Sequence, residues 1–113
     1  ADTRVSITIA EEATAMIERA LDKGRHVSIN EVAEGLFTSR SKLCATFKAQ
    51  TGESLGAYIR RRRMEQAQDL LADSALTIAQ VAERLDYPQQ AAFAQAFKQY
   101  TGMTPTAWRS KHR

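Results

Sequence analysis

Two short stretches of the chain, residues 38–48 and 89–98, carry polar and cationic side chains that could contact a ligand. The first stretch carries arginine, lysine and hydroxyl side chains, and the second is rich in glutamine. An arginine can donate two hydrogen bonds to the edge of a guanine, and a glutamine can pair in the same way with an adenine. Lysine and hydroxyl side chains suit phosphate oxygens. Contact with nucleic acid is therefore one chemistry that these stretches could perform.

Both stretches lie within an internal repeat. The sequence FKQYTGMTPTAW at residues 97–108 repeats FKAQTGESLGAY at residues 47–58, an offset of 50. Further upstream the two copies match at an offset of 49, so the second copy has one extra residue in its turn or in the helix after it. Each copy has the pattern of a short helix, a tight turn and a second helix, with a small alanine in the first helix that permits a close crossing.

Charge is segregated along the chain in step with this repeat. The net charge is +3, but residues 38–64 carry +6 and residues 87–113 carry +4, while the segments between and before them are acidic. Phosphates attract lysine and arginine regardless of sequence, so the coincidence of the basic segments with the two copies indicates a polyanionic partner.

Helical periodicity is the only regular pattern in the sequence, which predicts an all-α fold of seven helices. Capping boxes predict three helix starts, and hydroxyl or proline signals predict four more. The predicted starts follow or include Thr8, Ser28, Ser39, Ser54, Thr77, Pro88 and Thr104. The predicted organisation is an N-terminal helix-turn-helix subdomain over residues 1–53, a linker helix over 54–73 and a C-terminal helix-turn-helix subdomain over 74–113.

The linker segment is predicted to be one long helix, since no helix breaker follows Gly56 before residue 73. At about 1.5 Å per residue it would be about 28 Å long, close to the ~34 Å between successive major-groove faces on one side of B-DNA. Its apolar stripe includes the position of Arg63, which we expect to be structural and internally paired. Arg61 points away from that stripe, and Arg61 and Arg60 are expected to lie near phosphates.

Two helices, at about 40–50 and 88–99, are expected to read DNA, because each buries one pair of apolar side chains and exposes the opposite face. Leu43 and Phe47 form the buried pair of the first helix, and Phe93 and Phe97 form that of the second. The residues expected to contact base edges are Arg40, Ser41, Cys44, Ala45, Gln89, Gln90, Ala91, Ala94 and Gln95. Those expected to contact phosphate are Thr38, Ser39, Lys48, Arg60, Arg61 and Lys98.

The sequence contains few residues that could act as catalytic groups or metal ligands. His26 and His112 are far apart, Cys44 is the single cysteine, and no zinc-binding or glycine-rich phosphate-binding motif occurs. We therefore expect no enzyme activity, metal ion or cofactor. A redox-sensing role for the Cys44 thiol remains an alternative.

Residues 9–110 resemble the AraC/XylS family of transcriptional regulators, most clearly through IAQVAERLDY and FKQYTGMTPTAWR. The resemblance implies two helix-turn-helix units joined by a long helix, monomeric binding of double-stranded DNA in successive major grooves, and activation through RNA polymerase. It also implies a cytoplasmic, nucleoid-associated bacterial protein. The family commonly has glycine at the turn positions of Phe37 and Asp86. Since phenylalanine tolerates a left-handed backbone poorly, we expect the first turn to be shaped differently, with Gly35 in that role.

Two other interpretations remain open. A helical protein-interaction module would share the fold and could use the basic segments against an acidic protein. The chain could also be the DNA-binding part of a larger effector-responsive regulator. No run of apolar residues approaches the ~20 that a membrane span requires, so no membrane partner is expected.

Overall fold

The computed structural model describes residues 8–73 and 75–112, which form α-helices and no strand. None of the helices in these ranges is long and apolar enough to cross a membrane. The all-α prediction with seven helices is confirmed. In chain order the helices are α1 (Ile9–Asp22), α2 (Ile29–Gly35), α3 (Arg40–Thr51), α4 (Leu55–Leu71), α5 (Ile78–Arg84), α6 (Gln90–Thr101) and α7 (Pro105–Lys111).

Side-chain caps start every helix except α6 where the sequence predicts. The hydroxyls of Ser28 and Thr77 each accept from the backbone N–H three residues on, while Glu31 and Gln80 accept from the capping residue's own N–H. These are complete capping boxes, which satisfy two backbone donors at once. The hydroxyl bonds at the other predicted starts lie at Thr8, Ser39, Ser54 and Thr104.

The helices belong to two compact units, residues 1–60 and residues 61–113, here called the N-terminal and the C-terminal unit. In the N-terminal unit, Leu43 and Phe47 of α3 are fully buried in a cluster with apolar residues of α1, α2 and the start of α4. The Phe47 ring lies 5.6 Å from the ring of Tyr58. The inward face of α3 is thereby fixed in its own unit.

The C-terminal unit places its second helix in the same way. Phe93 and Phe97 of α6 are completely buried, in a cluster that includes the later turns of α4 and residues of α5. Phe97 packs edge-on against Trp108 with 6.1 Å between ring centroids. The two pairs predicted to be buried are confirmed in both units.

The repeated Thr-Gly pair ends the second helix of each unit by one mechanism. Gly52 and Gly102 take φ values of 83° and 84°, a left-handed conformation that glycine adopts without steric cost. The hydroxyl of Thr51 donates to Phe47 O at 2.8 Å, and that of Thr101 donates to Phe97 O at 2.9 Å. The repeat seen in the sequence therefore includes the left-handed glycine that ends each helix and the threonine hydroxyl bond beside it.

The turn before the second helix is also shared, which contradicts the expectation for the first copy. Phe37 adopts a φ of 56° and Asp86 a φ of 63°, so both occupy the left-handed position. The following N–H groups, of Thr38 and Tyr87, donate to the equivalent carbonyls of Ala33 and Ala82, each at 3.0 Å. The turns match at an offset of 49 and the next helices at 50. The extra residue of the second copy thus lies in the turn, after Tyr87, and Gly35 stays helical.

Helix α4 ends at Leu71, two residues before the predicted end of the linker helix. The Arg109 side chain of the C-terminal unit donates to the carbonyl of Leu71 at 2.9 Å and to that of Asp73 at 3.4 Å. These bonds satisfy carbonyls that the end of a helix leaves without partners. The Asp73 carboxylate accepts from Ala75 N, which favours a turn over further helix.

Candidate nucleic-acid interface

Helix α3 turns a polar face to solvent on the side away from its buried pair. Arg40, Ser41, Ala45 and Lys48 are exposed, as the sequence predicts, whereas Cys44 is half-buried at the edge of the core. Cys44 carries a free thiol. Four of the five predicted side chains on this face are thus open to a ligand, and Cys44 offers only part of its surface.

Helix α6 presents the equivalent face in the C-terminal unit. Gln90, Ala91, Gln95 and Lys98 are exposed, and Ala94, the counterpart of Cys44, is half-buried. The second helix begins at Gln90 rather than at the predicted residue 88. Gln89 is an exposed N-cap residue in an extended conformation, and its side chain makes no capping bond. The amides at 89, 90 and 95 are therefore displayed at the surface, as the reading role requires.

The two hydroxyl residues before α3, both predicted to contact phosphate, differ in exposure. Ser39 is the N-cap, and its hydroxyl accepts from Lys42 N at 3.1 Å while the residue itself stays exposed. The hydroxyl oxygen of Thr38 is buried, with no hydrogen-bond partner among the described residues. A phosphate contact by the Thr38 hydroxyl would require that side chain to turn outward, and the contact stays a prediction.

Two polar residues beside α3 escaped the sequence analysis. Asn30 of α2 accepts a long hydrogen bond, 3.4 Å, from the Arg40 guanidinium, so it can orient that side chain. Lys42 is a further exposed cation in the first turn of α3. The charge of Lys42 was visible in the sequence, whereas the pairing of Asn30 with a residue ten positions away depends on the tertiary crossing of α2 and α3.

The arginines of α4 divide by environment. Arg60, in the N-terminal unit, is exposed. In the C-terminal unit, Glu65 forms two ion pairs. Its Oε2 lies 3.4 Å from Arg61 Nη1, and its Oε1 lies 2.6 Å from Arg62 Nη1. Such partly exposed pairs contribute about 0–1 kcal/mol and rearrange readily. The phosphate contact predicted for Arg61 thus has a carboxylate competing for the same guanidinium.

Arg63 is engaged inside the C-terminal unit, as predicted. Its Nη2 donates to the carbonyl of Leu85 at 2.7 Å, and its guanidinium lies 4.0 Å from the ring centroid of Tyr87. Burial lowers the pKa of the Arg63 guanidinium, while Tyr87 and Asp86 oppose that shift. Burial also raises the pKa of the Tyr87 phenol. Arg63 therefore holds the turn that leads into α6.

In the part of the chain that the structure describes, no group of three or more histidine, cysteine, aspartate or glutamate side chains could hold a metal ion.

A family model described as a helix-turn-helix domain matches residues 32–111 of the chain. The chain is 30% identical over 107 residues to the HTH-type transcriptional activator AarP of Providencia stuartii, covering 95% of this chain and 78% of AarP. It spans about a third of the length of other curated relatives, to which it is 34% identical.

Solved structures agree with the family match. The C-terminal domain of AraT, a response regulator from Geobacillus stearothermophilus, is similar with a TM-score of 0.83 and 31% identity, covering 91% of this chain and 84% of that chain. The DNA-binding domain of AdpA, solved with a target DNA, has a TM-score of 0.78 at 24% identity, covering 90% and 93%, a likeness of fold alone. The chain thus belongs to the AraC-type helix-turn-helix family of DNA-binding transcriptional regulators.

Proposed function

We propose that this chain binds one DNA duplex sequence-specifically by placing α3 and α6 in successive major grooves. The observation that carries the proposal is the equivalence of the two helices. Each is pinned by a buried apolar pair, closed by the same Thr-Gly turn and left with an exposed polar face in the same register. Two helices that each contact the bases of a major groove need their exposed faces in the same register, whereas helices that only face solvent do not.

The two faces differ in the base preferences they support. On α3, the guanidinium of Arg40 can pair with guanine, and its long hydrogen bond to Asn30 limits the orientations that it adopts. On α6, Gln90 and Gln95 can pair with adenine. The further base-edge candidates are Ser41, Cys44, Ala45, Gln89, Ala91 and Ala94. Ser39, Lys48, Arg60, Arg61 and Lys98 are the proposed phosphate contacts.

In the cell, we propose that the protein activates transcription as a monomer through contact with RNA polymerase, in the bacterial cytoplasm at the nucleoid. The activator role is supported by the similarity to AarP, whose name describes an activator. The second candidate, the DNA-binding part of a longer effector-responsive regulator, is favoured by the several relatives about three times as long as the matched region.

Selection of bound duplexes from a random pool tests the proposal. We expect a bipartite, asymmetric motif whose halves lie about 10 base pairs apart, since one helical turn separates the groove faces. A palindromic motif would contradict binding as a monomer. Failure to enrich any duplex, with retention of an acidic protein partner, would favour the protein-interaction module instead.

Gln90→Ala is expected to weaken binding to the selected site by about 1–3 kcal/mol and to relax the preference at one base pair. The exposed amide at the start of α6 loses a bidentate pair with a base edge, while the helix keeps its buried face. Fluorescence anisotropy with duplexes altered at each position measures both effects.

Gln99→Ala is the matched control, because Gln99 is an exposed glutamine near the other end of the same helix. Its affinity and base preferences should equal those of the unaltered chain. An equal loss on every duplex for Gln90→Ala would show that its amide contacts only the DNA backbone.

A further inference from the structure

Phe37 is both strained and exposed. Its φ of 56° lies in the left-handed region, where a bulky side chain is uncommon, and 97% of its surface is open to solvent. The only other exposed large hydrophobic residue among the described ones is Tyr100, at 42%. Because its backbone is strained and its side chain is not buried, Phe37 does not stabilise the turn that contains it.

The turn itself does not require this residue. Asp86 occupies the same left-handed position in the second copy with the same pattern of backbone bonds. Aspartate visits this region more readily than phenylalanine, and glycine visits it freely. The phenyl group of Phe37 is therefore a feature of the surface rather than of the fold.

The neighbours of Phe37 in the turn hold its side chain at the surface. Leu36 before it packs on the core, and the hydroxyl of Thr38 after it is buried. The backbone is held by bonds from Phe37 N to Glu34 O and from Thr38 N to Ala33 O. The phenyl ring is thus fixed outward, two residues before Ser39, where the α3 helix begins with Arg40 and Lys42 exposed.

From this placement we infer that Phe37 contacts the deoxyribose edge of the DNA backbone beside the groove that α3 enters. The inference rests on the proposed DNA-binding function. The sugars of a duplex present apolar surface between phosphates, and the exposed cations that follow Phe37 in the chain, Arg40 and Lys42, suit those phosphates. A ring projecting from the turn before the helix meets the rim of the groove rather than the base edges. Its contribution is then independent of base sequence.

Three substitutions at this position separate the contact from the strain. Phe37→Gly and Phe37→Asn remove the apolar group and relieve the backbone, so the melting temperature should rise, by roughly 4 °C for glycine. Both should bind about fivefold more weakly, as expected for the loss of a small apolar contact. Phe37→Leu keeps an apolar group and should keep most of the affinity.

The measurement is anisotropy with a duplex selected by the unaltered chain and with a random-sequence duplex, across a salt series. We expect equal losses on both duplexes and an unchanged dependence of affinity on salt, since no phosphate contact is removed. Asp86→Gly is the control for relaxing a left-handed turn position, and it should bind at least as tightly as the unaltered chain.

Other outcomes overturn the inference. Phe37→Gly binding as tightly as the unaltered chain shows that the ring meets no DNA, and loss of transcription activation by that variant would assign it to a protein surface. A slope of affinity against salt that is smaller by about one phosphate contact would show that Phe37 acts by positioning a neighbouring phosphate-binding group instead. If the unaltered chain binds no duplex at all, the proposed function fails, and this contact with it.

Discussion

Replacing Phe97 with alanine is expected to lower the free energy of unfolding of the C-terminal unit by about 3–5 kcal/mol. The Phe97 ring is completely buried and packs against Phe93 at 5.7 Å and Trp108 at 6.1 Å between centroids. Truncation leaves a cavity between α6 and α7 and removes aromatic contacts on both sides. Since the same ring fixes the inward face of α6, the variant should also lose affinity for DNA.

Urea unfolding followed by the fluorescence of Trp108 measures this effect, because Trp108 is the one tryptophan of the chain and touches the altered site. Tyr100→Ala is the control, as it removes a partly exposed aromatic residue from the same helix. Its cost should stay well below that of Phe97→Ala. A cost under 1 kcal/mol for Phe97→Ala would mean that the core collapses around the cavity and that Phe97 does not fix α6.

Local signals in the sequence accounted for most of the fold. Hydroxyl caps, the Thr-Gly pairs and apolar residues four positions apart act within one helix or its ends, so their consequences can be derived from spacing alone. The end of α4 could not be derived in this way. It depends on Arg109, which reaches a carbonyl 38 residues earlier in the chain.

The first turn shows how a local rule can be overridden. Phenylalanine disfavours a left-handed backbone, so the sequence favoured a different turn at Phe37. The turn is set instead by the packing of Leu36 on the core and by the backbone bond from Thr38 N to Ala33 O. The strain at one residue is smaller than the cost of rearranging two helices.

The candidate site was predictable to the extent that it follows from the buried pairs. Once Phe93 and Phe97 face inward, the direction of every other side chain around α6 is fixed. The exposure of the glutamine amides could therefore be predicted. Residues at the edge of the core are harder to place, and Cys44 and Ala94 are half-buried for that reason. The burial of the Thr38 hydroxyl could not be read from a spacing, since it depends on the depth of the turn.

Arg63→Ala is expected to destabilise the C-terminal unit by about 2–3 kcal/mol, the second large effect. The change removes a charged hydrogen bond of 2.7 Å to Leu85 O and a guanidinium stacked on Tyr87 at 4.0 Å. It also leaves that carbonyl, at the start of the turn before α6, without this donor. Urea unfolding with Trp108 fluorescence again measures the loss.

Two further variants at position 63 divide the effect between charge and packing. Arg63→Lys keeps the charge but cannot stack a planar fork on Tyr87, so it should lose more than half of the stabilisation. Arg63→Met keeps the stem, and because a buried charge carries a desolvation cost, it should be milder than alanine. If methionine equals the unaltered chain, packing of the stem accounts for the whole role of Arg63.

The effect of Arg63→Ala on DNA binding distinguishes positioning from phosphate contact. If Arg63 positions α6 through the turn, affinity should fall more on the selected site than on random duplex, because a misplaced helix loses its base pairings first. The salt dependence of binding should stay the same. A uniform loss on both duplexes with a weaker salt dependence would instead require that Arg63 leaves Leu85 to reach a phosphate. That movement would have to break the 2.7 Å bond and the stack on Tyr87, and their persistence in the complex is therefore what the structure predicts.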